Sequence, residues 1–231
     1  MTEKLLQGLL KLDFTQEQCS TLVPKMEKYT NEIILFNSAY NLTNTSDFDE
    51  IAVNHILDSL SGVKIIKQLT ETIISKGTEP SKLKIADIGS GGGLPGIPLA
   101  AAMPQFNFTL VERMDKRCAF LENCAAILGL KNVTVMKSEA EKVRAESFHI
   151  ATFRAFRPLD KKMTKTLLSL TKKGGFLTAY KAKFSNITEE MNSIKELVEK
   201  YRVEPLFVPF LTDSANKKES RERNLVIIPV N

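Results

Sequence analysis

With 231 residues and 43% hydrophobic side chains, the chain suits one ordinary domain plus an appendage, and two full domains are not expected. A formal charge of +5 would help a polyanion bind without requiring one. No apolar run approaches the roughly 20 residues of a membrane helix, and the opening MTEKLL lacks the regions of a signal peptide, so the expectation is a cytoplasmic protein that meets no membrane.

Leu22, Met26, Tyr29, Ile33 and Phe36 recur at helical spacing and predict one buried face, with Pro24 expected to kink or restart that helix. After the loop YNLTNTS, Ser46 with Asp49 resembles a capping box that opens a second long helix through IAVNHILDSLSGVKIIKQL. KGTEPSK, with Gly77 and Pro80, divides this helical part, residues 1–80, from an α/β part, residues 81–231. Strands and helices alternate from there. The expected strands are Leu83 to Ile88, Phe106 to Glu112, Val133 to Met136, Phe148 to Phe153 and Phe176 to Tyr180, with KKGG breaking the chain before the last. Helices are expected from Lys116 to Leu128, closed by Gly129, from near Pro158, and from about Thr188 to Tyr201. Two β-rich runs, Val203 to Phe210 and Leu225 to Val230, end the chain across a charged, mobile link, TDSANKKESRER. The alternation calls for a parallel sheet covered on both faces, and the helix-free last connection makes one strand antiparallel. Cys19, Cys118 and Cys124 show no CxxC spacing and read as reduced structural thiols, not metal ligands.

The chemistry concentrates at LKIADIGSGGGLPGIP, where an apolar strand runs into a glycine cluster whose amides can approach a ligand closely. Gly91, Gly93 and Gly96 satisfy GxGxxG, the pattern of dinucleotide loops. Asp87, Gly89, Gly91 and Gly93 satisfy the acidic-x-Gly-x-Gly-x-Gly pattern of methyltransferases, in which the carboxylate can reach the cationic end of S-adenosylmethionine. Glu112, closing the second strand, is placed to accept from a ribose diol in either case.

YNLT, HILDSL, DIGSGGGLPGIPLA, KRCAFL, FRAF and RNLVII occur in this order, and together they resemble the small-subunit ribosomal RNA guanine-N7 methyltransferases. The resemblance spans nearly the whole chain. It implies a class I S-adenosylmethionine-dependent methyltransferase, Rossmann-like, with a mostly parallel seven-stranded sheet, one antiparallel strand and a helical N-terminal extension. It also implies contact of Gly89, Leu94, Ala140, Glu141 and Arg154 with the cofactor, and of Arg154, Lys181 and Arg223 with RNA. Glu139, where relatives often carry arginine, and Ala182, where glycine is usual, depart from the pattern. The partner implied is ribosomal RNA or the small subunit, and the protein is expected to act as a monomer.

Methyl transfer to guanine N7 displaces along the C–S axis onto a free lone pair, so no general base is needed and catalysis is positioning. Arg154 and Lys181 are therefore candidates for holding the base. His55 and Asp58, three residues apart on one helix face, either touch substrate or make a contact between helix and domain, and this chemistry favours the contact. Without the resemblance, Arg221 and Arg223 beside Lys217 and Lys218 would read as a solvated charge run.

Overall fold

The computed structural model describes residues 2–154, 159–213 and 221–231. The expectations placed on Pro158, on the second half of FRAF and on residues 214–220 of the charged link, Lys217 and Lys218 included, lie outside the described residues.

The N-terminal part opens with α1 (Thr2–Lys11) and α2 (Gln16–Tyr40). A capping box starts α2: the Gln18 N–H donates to the Thr15 hydroxyl at 3.2 Å and the Thr15 N–H to the Gln18 side chain at 2.9 Å. Leu22, Met26, Tyr29 and Ile33 are buried as their spacing predicts. Phe36 is half-buried and meets Tyr40 and Phe120 at ring distances of 5.4 and 5.6 Å. Pro24 does not restart the helix. Its ring lies on the exposed side, where water can satisfy the carbonyl it leaves unbonded, while buried Leu22, Val23 and Met26 hold the turn.

The second long helix is interrupted. Its cap is Asp47, which accepts from the Glu50 N–H at 2.8 Å; Ser46 instead accepts from Asn37 Nδ2 at 3.0 Å. One α-helical turn, α3 (Phe48–Ile51), widens into a π-helical segment, Ala52–Leu57, before α4 (Asp58–Ser61) and α5 (Val63–Ser75). Gly62 divides the last two, because a Cβ there would stand 2.8 Å from Cζ of Tyr180 on the sheet below.

The α/β part forms a seven-stranded sheet in the order β3-β2-β1-β4-β5-β7-β6. The strands are β1 (Lys84–Ile88), β2 (Asn107–Glu112), β3 (Val133–Lys137), β4 (Phe148–Arg154), β5 (Thr171–Lys181), β6 (Arg202–Pro205) and β7 (Asn224–Pro229). Among the described residues only β7 runs antiparallel, against both β5 and β6. Helices α6 (Gly96–Ala102), α7 (Asp115–Ile127), α8 (Lys161–Leu170) and α9 (Phe184–Ser193) cover it. Three late expectations are corrected. KKGG does not precede β5 but loops out of it, since Thr171 pairs with Phe148 and Phe176 with Ile150 while Gly174 takes φ +76°. The helix expected to run to Tyr201 starts earlier, with the Phe184 N–H on the Glu222 carboxylate, and ends at Ser193, where buried Ile194 turns the chain. The strand expected through Phe210 ends at Pro205, with one further bond to its neighbour from the Leu206 N–H to the Arg223 carbonyl at 2.8 Å.

One apolar cluster runs from Leu5 and Leu9 through Leu110 and Tyr180 to Ile227, so the helices and one face of the sheet share a core. A second cluster, with Ala86, Phe153, Leu177 and Met163, fills the opposite face. The three cysteines are buried and unpaired.

Candidate functional site

Two cavities open at the carboxyl ends of β1, β2, β4 and β5, the usual ligand position in an open α/β sheet. The larger, about 620 Å³, lies between the glycine loop and the N-terminal helices. The smaller, about 430 Å³, lies beside the end of β2, and Gly89 and Arg117 line both.

Within the loop the glycines divide by task. Gly89 and Gly91 take φ +70° and +57° and line the larger cavity. A Cβ on Gly91 would meet nothing closer than 3.8 Å, so this glycine serves backbone conformation and access. Gly93 lines neither cavity; a Cβ there would stand 2.6 Å from Ile97 Cγ1 and 2.9 Å from the Tyr29 hydroxyl. Gly96 likewise serves packing, its Cβ position being 2.6 Å from Asp87 Oδ2. Helix α2 reaches the same loop, because Tyr29, fully buried, donates its hydroxyl to the Gly92 carbonyl. Asn37 organises the next wall: its Oδ1 accepts from the N–H groups of Leu42 and Thr43, both at 2.9 Å, and these residues line the larger cavity.

Asp87 is 1% exposed and lines neither cavity. Its Oδ2 accepts from the Gly96 N–H at 2.9 Å, tying strand to helix start, while Oδ1 is buried without a partner. Burial pushes its carboxyl up to about 6 against the pull of the Gly96 hydrogen bond. Glu112 lines the smaller cavity with Glu139, Ala140 and Glu141. Its carboxylate accepts from the N–H groups of Gly91, Arg113 and Met114, each at 2.9 Å. A carboxylate has about four acceptor sites, so one remains for a ligand hydroxyl.

Arg154, Lys181, Ala182, Arg223 and Leu94 all line the larger cavity. Arg154 Nη1 lies 2.8 Å from Asp58 Oδ2 and also donates to the His55 carbonyl at 3.3 Å. Arg223 Nε stands 3.3 Å from Asp58 Oδ1, close in charge but without hydrogen-bond geometry, since Oδ1 has no hydrogen-bond partner. Asp58 is thus a buried carboxylate shared by two arginines. Lys181 is held by Glu190 at 2.8 Å. The expected contact between helix and domain at His55 and Asp58 is present, and both residues also face the cavity.

Sequence reasoning did not single out Arg117 or Asn54. Arg117 reaches the junction of the cavities with its Nε buried and unpartnered, and Asn54 lies in the π-helical segment. KRCAFL contains Arg117, but that it meets no carboxylate among the described residues is visible only in three dimensions.

A glycine loop after β1, an acidic residue ending β2 and a single antiparallel β7 define a class I S-adenosylmethionine-dependent methyltransferase. The sequence profile of the GidB family, rRNA small subunit methyltransferase G, matches residues 22–225, and the chain belongs to that family. The ribosomal RNA small subunit methyltransferase G of Treponema denticola is 39% identical, the match covering 97% of this chain and 92% of that one. A Borreliella burgdorferi protein of the same name is 34% identical, with 88% of each chain covered. Among solved structures, a predicted O-methyltransferase from Agrobacterium tumefaciens shares the fold at TM-score 0.50 and 18% identity, covering 66% of this chain and 76% of that one.

Proposed function

We propose that this chain transfers the methyl group of S-adenosylmethionine to N7 of a guanine in small-subunit ribosomal RNA, acting as a cytoplasmic monomer. The observation that carries the reading is the junction of the two cavities: a glycine-lined cleft edged by Arg117, Arg154, Lys181 and Arg223 meets a pocket holding Glu112. Family membership supports the substrate class, and the motif resemblance supports the base. Among the described residues no helix is long and apolar enough to cross a membrane.

The residues fit the cofactor. The open space above Gly91 leaves the loop backbone accessible, and the spare acceptor of Glu112 faces the pocket where a ribose would lie beside Ala140 and Glu141. S-adenosylmethionine supplies an electrophilic methyl group when bound. Everything else is alignment: the chain must hold N7 roughly 3 Å from that carbon, in line with its bond to sulfur, and exclude water. Asp58 and His55 fix Arg154 at the mouth, Glu190 fixes Lys181, and the helices of residues 1–80 close the cleft as a cap. No side chain has to remove a proton. A target inside folded RNA must be unstacked or single-stranded to enter.

The test is transfer of labelled methyl to small subunits or ribosomal RNA lacking the modification, followed by mapping of the base. Label at guanine N7 is expected. Label at another RNA position or on a small molecule, or RNA binding without transfer, would overturn the reading in favour of a different methyltransferase or a non-catalytic RNA-binding protein. Calorimetry should show binding of S-adenosylhomocysteine and none of NAD.

A further inference from the structure

Among the groups lining the larger cavity, His55 has a hydrogen-bonding state dictated by its neighbour. Its Nδ1 lies 3.2 Å from Nη2 of Arg154, and a guanidinium can only donate. Nδ1 must therefore accept, which leaves the proton on Nε2. Burial, then the nearby charges of Arg154 and Arg223, push the imidazole down to about 4, so the ring is neutral at physiological pH. Among the described residues Nε2 has no partner, and it is not among the buried unpartnered atoms, so it is open at the cavity wall. The ring is held from below as well. It projects from the π-helical segment, where Arg154 donates to the Asn54 and His55 carbonyls at 3.5 and 3.3 Å, the latter also accepting from the Asp58 N–H and, at 2.6 Å, from the Ser59 hydroxyl. The outcome is a single N–H donor of fixed tautomer and no charge, facing the space beside the glycine loop.

We propose that His55 is a specificity residue whose Nε2–H donates to O6 of the target guanine, a role that rests on the guanine-N7 reading above. On the major-groove edge of a purine, O6 stands next to N7 in guanine, where adenine carries an amino group that donates. A donor fixed opposite that position accepts guanine and meets adenine donor to donor, leaving two buried polar groups unpaired. A donor directed at N7 itself would occupy the lone pair that must attack, so O6 is the atom compatible with chemistry. The neutrality matters too. Methylation at N7 leaves a positive charge on the base, and an uncharged donor reads the base edge without adding repulsion to that already arising from Arg154 behind it. His55 moves no proton and takes no part in bond making.

A cycle between protein and base tests this. Small-subunit RNA is ligated to carry either guanine or 2-aminopurine, which keeps N7 and lacks O6, at the modified position. Labelled methyl transfer is then measured for wild type, His55→Ala and His55→Gln. For wild type, loss of O6 is expected to lower kcat/KM about 10- to 100-fold. His55→Ala should be lowered similarly on guanine and should discriminate between the two bases by less than about threefold, whereas His55→Gln, which retains an N–H donor, should recover part of the discrimination. If His55→Ala discriminates as strongly as wild type, the proposal fails while the guanine-N7 reading stands. If wild type places no methyl on guanine N7, that reading fails and takes the proposal with it. Binding of S-adenosylhomocysteine to each variant separates loss of fold from loss of recognition. Long-range proton–nitrogen NMR of the wild-type protein supplies an independent check: a neutral ring with the proton on Nε2 is expected at pH 7, and a proton on Nδ1 would overturn the proposal even where a variant fails to fold.

Discussion

At the scale of single residues, neighbouring glycines of one loop answer to different demands. Gly91 sits at φ +57° in open space, a conformation that aspartate adopts at a cost of about 1 kcal/mol, so Gly91→Asp should fold. It places a carboxylate in the larger cavity, and calorimetry should find S-adenosylhomocysteine binding lost; retained affinity would show that the cofactor lies elsewhere. Gly93→Ala is expected to fail in the other order, losing stability first, because its Cβ would stand 2.6 Å from Ile97. Asp87 leaves a pH signature. Its carboxyl is raised from 3.8 to about 6 in the folded chain, so folding favours its protonated form, and the folded state must bear the cost of ionising it as pH rises through that window. The contribution is on the order of 2–3 kcal/mol lost between about pH 4 and 6. Asp87→Asn keeps an acceptor for the Gly96 N–H and should remove this slope, a result read from the difference in urea midpoints between variant and wild type across that pH range. Identical pH profiles for the two would refute it.

At the scale of elements, the N-terminal helices build the site as much as the sheet does. Tyr29 lies in the middle of α2 on a stripe that reads as plain core, yet its hydroxyl holds the Gly92 carbonyl. Tyr29→Phe should cost about 1–2 kcal/mol by thermal denaturation and weaken S-adenosylhomocysteine binding, whereas an unchanged affinity would mean that the loop keeps its shape without the helix. The π-helical segment is the clearest gap between sequence and structure. HILDSL carries helical spacing and nothing in its residue types announces a wide turn; the turn is stabilised by Arg154, some hundred residues later, donating into its carbonyls. Pro24 errs in the opposite sense. Local propensity favoured a break, and the buried residues around it kept the helix whole.

For the whole molecule, the cluster shared by Leu5, Tyr180 and Ile227 implies that the helical part and the sheet unfold together, and a single calorimetric transition is expected. Two separated transitions would contradict it. Arg117, Arg154, Lys181 and Arg223 edge one cleft, so RNA affinity should fall steeply with salt, while a flat response would show that phosphates are not what they meet.

Most of the sheet was legible beforehand because the central strands β1, β2 and β4 are buried along nearly their whole length and are dominated by apolar residues, with glycine or a charged residue where they end, whereas the edge strands β3 and β6 are half-exposed. The glycine loop was legible for a related reason: positive φ leaves few alternatives to glycine. The sequence by itself therefore determined the strand order class, the loop and its family. Tertiary structure alone decided which loop glycines line the larger cavity and which face Ile97, that Asp87 ties a helix rather than lining a cavity, and that Asp58 serves two arginines. It also decided that Nδ1 of His55 meets Arg154. Those facts depend on distances between residues far apart in the chain, and neither local propensity nor spacing carries information about such distances.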